Sequence, residues 1–338
     1  MEKLHISKLG MEQWLGSLIK SGKRVVAPVK HDDIVDFAVI SSPAQVADDY
    51  VQTRLSAKQY VFPKAEVLFS YKKDGKDVTI DDVNTDEFPE TVLWKLHPCD
   101  VAGLEPLGAI FNWDYKDSLY NARRAKTTLV TFACAASDEY CFCASVGGGP
   151  GNTDGSDVQV TMLPDGDALV ELISDKGKAL LTDDIKGETS SADGIDKEKF
   201  IAKVEKKFTV DEIIKKLEGS FSSPIWQEQS DRCLGCGACA YVCPTCACFD
   251  IQEDSHLHGG RRVRSWDSCG FSLFTLHTGG YNPRTTQSAR WRQRVLHKFS
   301  YMPERLHVTG CTGCGRCSRA CPVDMNLVEH LTEIASHE

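Results

Sequence analysis

Several features are missing from this 338-residue chain. No apolar run approaches the roughly 18 to 20 residues that cross a bilayer, so no membrane span is predicted. The opening MEKLHISKLGMEQWLG has neither an apolar signal core nor a twin arginine, and the expectation is a cytoplasmic protein. Gly147-Gly148-Gly149-Pro150-Gly151 has the wrong spacing for a Gly-x-Gly-x-x-Gly fingerprint. A Walker loop, a Gly-x-Ser-x-Gly elbow and a His-Glu-x-x-His pair are also absent. The chain is therefore expected to hold no flavin or nicotinamide site of its own and to run no hydrolysis. Positive charge is short as well. With 39 Lys+Arg against 48 Asp+Glu the net charge is −9, which argues against nucleic-acid binding. Cysteine does not occur before Cys99.

What is present is a globular composition, 41% hydrophobic and 26% charged, with fifteen cysteines. A reducing compartment disfavours disulfides, so metal is the leading reading and the spacings decide which one. The cysteines fall into groups: Cys99, Cys134, Cys141 and Cys143; Cys233 to Cys248; a solitary Cys269; and Cys311 to Cys321.

The first 185 residues read as mixed α/β. Ser7 can cap a helix with Met11, Trp14, Leu15 and Leu18 on one face. Apolar runs at 24–29, 33–40, 91–96, 127–133 and 157–163 predict strands. A helix over 100–111 should start directly after Cys99, and 209–217 has helical spacing. The polar stretch 186–199 reads as a linker. The predicted organisation is a domain over 1–185 with its own cysteine site, a linker with helices over 186–226, and a cysteine-rich domain over 227–338. Periodicity weakens in that last domain, which is expected to be organised by metal more than by an apolar core.

The sharpest signal is Cys233-Leu-Gly-Cys236-Gly-Ala-Cys239-Ala-Tyr-Val-Cys243-Pro244, repeated as Cys311-Thr-Gly-Cys314-Gly-Arg-Cys317-Ser-Arg-Ala-Cys321-Pro322. Both fit the Cys-x2-Cys-x2-Cys-x3-Cys-Pro run of two-cluster ferredoxins. Three thiolates in a tight loop can wrap a [4Fe-4S] cubane, and the intervening glycines let backbone amides approach its sulfurs. The fourth cysteine, on a helix after the loop, points at the other cluster. One predicted set is therefore Cys233, Cys236, Cys239 and Cys321, and the other is Cys311, Cys314, Cys317 and Cys243. Structural zinc uses separate two-cysteine knuckles, so the spacing favours iron–sulfur. The fold class expected is α+β: a mixed α/β domain followed by a two-cluster ferredoxin-like domain with a long basic insertion, 249–308.

The insertion and its surroundings carry Arg261, Arg262, Arg264, Arg284, Arg290, Arg292, Arg294, Lys298 and Arg305. These cations can face anionic clusters, dock an acidic partner, or form a solvated face. In the N-terminal half, Leu96-His97-Pro98-Cys99-Asp100 and Cys134 stand at the ends of predicted strands, and Cys141-Phe142-Cys143 runs into the glycine-rich loop. Four thiols there can hold a further cubane or a zinc ion, or can be buried and reduced. Cys246, Cys248 and Cys269 remain over. They can hold a fourth cluster with Asp267 or His277, or pack around the neighbouring cubanes, which is the preferred reading.

Cys243-Pro-Thr-Cys246-Ala-Cys248-Phe-Asp, Arg264-Ser-Trp-Asp-Ser-Cys269, Gly280-Tyr-Asn-Pro-Arg284 and Arg292-Gln-Arg-Val-Leu-His297-Lys298 together resemble one family. It comprises the iron–sulfur beta subunit of cytoplasmic sulfhydrogenases and related NiFe hydrogenases, together with the corresponding iron–sulfur subunit of anaerobic sulfite reductase. The resemblance extends to Pro98-Cys99-Asp100, Tyr120, Arg123-Arg124 and Cys141-Phe142-Cys143, and implies a third cluster on Cys99, Cys134, Cys141 and Cys143. His97 stands where many relatives carry arginine and is read as structural. The resemblance further implies an anaerobic electron-transfer subunit, itself non-catalytic, that links a NiFe hydrogenase to a flavin NAD(P)H-reductase subunit. A sulfite-reducing or heterodisulfide-reductase-type partner is the alternative. Two other readings are a cluster enzyme acting directly on a sulfur substrate and a zinc-stabilised interaction module.

Overall fold

The computed structural model describes residues 2–336. Its strands, in chain order, are β1 (Glu2–Ile6), β2 (Arg24–His31), β3 (Ile34–Val39), β4 (Ala65–Asp74), β5 (Asp77–Asp82), β6 (Thr91–Leu96), β7 (Thr127–Phe132), β8 (Val158–Met162), β9 (Ala168–Leu172), β10 (Thr189–Ser191), β11 (Phe249–His256) and β12 (Gly259–Trp266). Eight of them form one sheet in the order β10-β1-β9-β8-β7-β6-β2-β3. Its centre, β2-β6-β7-β8, is parallel, and antiparallel strands flank it. A sheet covered on both faces needs apolar residues at successive positions. Val25, Val92, Val130 and Val158 pack on one side with Trp14 and Leu18. Val26, Leu93 and Leu129 pack on the other with Phe62, Leu107 and Phe111. The five apolar runs correspond to β2, β3, β6, β7 and β8. The polar stretch at 186–199 contributes β10, which pairs with β1.

Ser7 caps the helix Lys8–Lys20, its side chain accepting from Gly10 N at 3.1 Å. Thr209 likewise caps Val210–Leu217 in a reciprocal box with Glu212. The helix expected over 100–111 begins earlier, at Pro98, and divides into Pro98–Ala102 and Leu104–Phe111. Proline is pre-organised for a first helical turn, so Cys99 lies within that turn. The division falls at Gly103, where a Cβ would lie 2.6 Å from Pro244 Cβ. The residue following Cys243 thus presses directly on the helix that carries Cys99.

The cysteine-rich half, weak in periodicity, shares an apolar core with the helices that precede it. Ile213, Leu217, Trp226, Trp291, Val295, Phe299, Leu327 and Leu331 are buried together, with Phe142 joining from the N-terminal half. These residues come from segments separated by cysteine loops, so no one window of sequence shows their pattern.

A second sheet, β11-β12-β4-β5, ties the halves together. The insertion hairpin pairs through β12 with β4, antiparallel, Arg264 opposite Glu66. Its strands are largely solvent-facing and charged, and lack the alternation that marks a half-buried strand. The basic insertion consequently divides by role. Arg261 pairs with Asp254 at 2.7 Å and Arg262 with Glu253 at 2.8 Å on the hairpin surface. Arg264 is buried, with Nε 2.9 Å from Glu66 Oε1 and a further pair to Asp117, while Arg123 Nη1 reaches Glu66 Oε2 at 2.6 Å. Arg294 and Lys298 turn inward to the thiols. Among the described residues no helix is long and apolar enough to cross a membrane.

Removing one member of a buried ion group leaves the others uncompensated, at about 3–5 kcal/mol. Arg264→Ala is therefore expected to lower the thermal midpoint of the anaerobically purified protein, and Glu66→Gln in the same chain to recover part of the loss. An unchanged midpoint would show that this group does not join the halves.

Candidate metal centres

The two ferredoxin loops are built alike. Gly235 and Gly237 have φ of +67° and +74°, and Gly313 and Gly315 have +64° and +70°. This left-handed backbone is open to glycine at little cost and curls each loop inward. Single-turn helices, Ala238–Tyr241 and Arg316–Arg319, follow. They end before Cys243 and Cys321, so the fourth cysteines lie just past the helices and not on them as expected. Cys233, Cys236 and Cys239 line a void together with Cys321 and Cys317 from the second loop and Cys269 from the insertion. A neighbouring void is lined by Cys311, Cys314 and Cys317 together with Cys243.

In the N-terminal half, Lys95 takes a left-handed φ of +60° where the β6–β7 register shifts. That turn redirects the chain into His97-Pro98-Cys99, at the carboxyl end of a parallel strand. Cys134 lies beyond the neighbouring strand, its N–H on Pro150 O at 2.9 Å and its carbonyl accepting from Ala202 N at 2.7 Å. Burial, with the charges of Cys143 and Cys141, pushes the Cys134 thiol up to about 12. Burial and Cys141 push Cys143 up to about 11. Cys134 in turn acts on Cys99, whose thiol burial also raises, so the four thiols lie within electrostatic reach of one another. Phe142 N donates to Gly313 O at 2.9 Å, so this loop lies against the second ferredoxin loop. His97 is buried, its ring stacked on Tyr50 with centroids 5.5 Å apart and Nδ1 3.2 Å from Gln52 Oε1. Burial lowers its pKa to about 4. A cleft of about 750 Å³ opens beside Cys99, Cys143 and Cys311 and is bordered by Gly147, Gly148 and Gly149.

A tetrahedral zinc ion with bonds of about 2.3 Å draws its sulfurs to within about 3.8 Å of one another. Among the described residues, only His97, Cys99 and Asp100 form a group of three or more such side chains with ligand atoms all within 4.8 Å. No three cysteines of either ferredoxin void have their sulfurs all within 4.8 Å of one another among the described residues. Asp100 is moreover engaged elsewhere, in an ion pair with Arg316. The surroundings suit an anionic group. Lys298 Nζ lies 3.4 Å from Cys243 Sγ, and Arg294 Nη1 lies 3.6 Å from Cys246 Sγ. Burial works against both cations, yet the thiols around them hold each above its ordinary pKa. Gln287 Nε2 donates to Cys233 Sγ at 3.0 Å, and Arg319 Nη2 to Cys141 Sγ at 3.2 Å.

The three remaining thiols pair off. Cys246 is in hydrogen-bond contact with Cys243, and Cys248 with Cys269. Asp267 Oδ1 accepts from Ser268 N at 2.6 Å, and the exposed His277 packs its ring on Tyr281. Sequence reasoning missed Lys58, whose ammonium donates to Ala240 O at 3.3 Å and Cys246 O at 2.9 Å and lies over the Trp266 ring. Nothing in its local sequence marks it. It also missed Arg316 and Arg319, although both stand inside the second cysteine motif.

Residues 232–325 match the family described as 4Fe-4S dicluster domain. The chain is 32% identical to sulfhydrogenase 2 subunit beta of Pyrococcus furiosus over 94% of its own length and 93% of that protein's. No solved structure matches it.

The packing of the two cysteine loops gives a steric test. A Cβ on Gly313 would stand 2.5 Å from Cys143 N, in addition to about 1–2 kcal/mol for the left-handed backbone, whereas a Cβ on Gly149 meets nothing within 4 Å. Gly313→Ala should lower the iron content of the purified protein, and Gly149→Ala should leave it unchanged. Equal iron in both variants would contradict this packing.

Proposed function

The chain belongs to the sulfhydrogenase beta-subunit family, and from that premise we propose that it relays electrons between two partner subunits of an oxidoreductase complex. The donor or acceptor on one side is a flavin NAD(P)H-reductase subunit, and on the other a NiFe hydrogenase. A subunit of sulfite-reducing or heterodisulfide-reductase type is the alternative catalytic partner. The complex works in the cytoplasm, where thiols stay reduced.

The ligand sets proposed are Cys233, Cys236, Cys239 and Cys321; Cys311, Cys314, Cys317 and Cys243; and Cys99, Cys134, Cys141 and Cys143. Bound [4Fe-4S] clusters supply one-electron redox chemistry, at potentials that hydrogen bonds and burial adjust. The polypeptide does the rest. Its left-handed glycines shape the two cradles, Arg294 and Lys298 offset the thiolate charge, and Gln287 and Arg319 donate to individual sulfurs. The observation that carries this reading is the exchange of Cys243 and Cys321 between the two voids. Cys246, Cys248 and Cys269 are proposed to pack around the clusters.

A second reading is direct reduction of a sulfur substrate by this chain. It is favoured by the cleft of about 750 Å³ beside Cys99 and Cys143, a volume suited to a small molecule.

Three measurements test these readings. The complex purified from its source should couple hydrogen oxidation to NAD(P)+ reduction, and the chain alone should turn over neither sulfite nor polysulfide with an artificial donor. Turnover by the isolated chain would transfer the argument to the second reading. Cys321→Ala should alter the electron paramagnetic resonance of the centre in the Cys233 loop and spare the one in the Cys311 loop; the reverse would sink the crossover. Iron should stop at about twelve atoms per chain, four for each of three sites. A higher count would assign metal to the three remaining thiols.

A further inference from the structure

Arg316 stands in the second ferredoxin loop between Cys314 and Cys317, but its side chain leaves that loop. It runs into the N-terminal half and is fully buried there. Nε donates to Thr53 O at 3.0 Å and Nη2 to Thr53 Oγ1 at 2.8 Å. Nη2 also lies 2.7 Å from Asp100 Oδ1. Asp100 is in turn fixed by the backbone, its Oδ2 accepting from His97 N at 3.2 Å. Nε and Nη2 are thus engaged by Thr53 through hydrogen bonds and by Asp100 through an ion pair.

Nη1 is buried and has no hydrogen-bond partner in the polypeptide. A buried charged donor left unpaired costs more than the ordinary 1–3 kcal/mol of a lost partner, so an acceptor is expected beside it. Burial opposes the charge on Arg316, and Asp100, Cys314 and Cys99 are the groups that sustain it. Cys314 belongs to the ligand set of the Cys311 loop and Cys99 to the N-terminal set. Carried between Cys314 and Cys317 and paired at 2.7 Å with Asp100, the residue after Cys99, the guanidinium lies where two proposed centres approach each other.

We propose that Arg316 is a positioning residue shared by these two centres, its buried fixed charge raising both reduction potentials together. The inference rests on the cluster reading above. A cation held between two anionic sites favours the more negative, reduced form of each. Asp100, on the same guanidinium, works in the opposite sense by neutralising part of that charge. Thr53 holds the orientation from a segment that contributes no cysteine. The arrangement makes one side chain set the level of two successive steps in the relay, while none of its bonds described above goes to the Cys233 loop.

The test is a redox titration of the purified full-length protein followed by electron paramagnetic resonance. In Arg316→Gln, both the Cys311-loop and the N-terminal signals should become harder to reduce. The expected change is at least tenfold in the reduction equilibrium, which is 59 mV for one electron. The Cys233-loop signal should not move. Asp100→Asn should shift the same two signals the other way, and Arg316→Lys should restore most of the wild-type position. Should Arg316→Gln fail to load iron, Asp100→Asn decides alone through the sign of its shift. Wild-type protein without three signals would overturn the cluster reading itself. Three signals in which neither of the two moves, or in which all three move alike, would overturn the role of Arg316 and leave that reading standing.

Discussion

Thiolates gathered in a dry interior repel one another, and burial adds to the cost by disfavouring every charged form. The effect is visible along the chain: burial pushes Cys311 up to about 12 and Cys317 up to about 11. A protein that collects cysteines this densely must supply compensating cations from within its own core. Arg294, Lys298, Lys58 and Arg316 are each buried and each directed at cysteine side chains or at the loops that carry them. Their desolvation is tolerable only because the anionic sites are there to receive them. Cations and cysteines are therefore a single construction, and the folds of both halves are shaped to close around it.

That requirement explains why the two halves interlock instead of lying side by side. Lys58, Thr53 and Asp100 come from the N-terminal half, whereas Arg294, Lys298 and Arg316 come from the C-terminal half. Lys58 reaches the carbonyl of Cys246 across the boundary and Arg316 reaches Thr53 and Asp100 across it, while Arg294 and Lys298 close on cysteines of their own half. The same boundary is closed by Gly103 against Pro244, by Gly313 against the Cys141–Cys143 loop, and by the pairing of β4 with β12. Phe142, flanked by two of the thiols, buries its ring in the C-terminal core.

Wherever a property is set by neighbours in sequence, the sequence disclosed it. The parallel centre of the large sheet was legible because its strands are unbroken apolar runs. The cysteine motifs were legible because their spacing is the geometry of the loop itself. Ser7 and Thr209 announced their helices by capping chemistry. The second sheet was hidden, since its polar, exposed strands carry no alternation and pair across most of the chain. The apolar core of the cysteine-rich half was hidden because its members come from four separated helical segments. The inward cations were only half legible: Arg294 and Lys298 stood in a basic stretch whose surface and buried members look alike in one dimension, and Lys58 had no local sign at all. The start of the helix at Pro98, ahead of Cys99, was readable in principle from proline's preference for a first turn.

The partnership of β4 with β12 also imposes a timetable. Glu66 and Arg264 are 198 residues apart. At synthesis rates of about 5–20 residues per second, the earlier strand waits on the order of 10–40 s before its neighbour leaves the ribosome. During that interval its edge is bare and Glu66 lacks one of its two arginines. Iron delivered before the last hundred residues emerge would meet only some of the cysteines. Both cysteine motifs and both faces of that strand pairing exist together only once the chain is nearly complete.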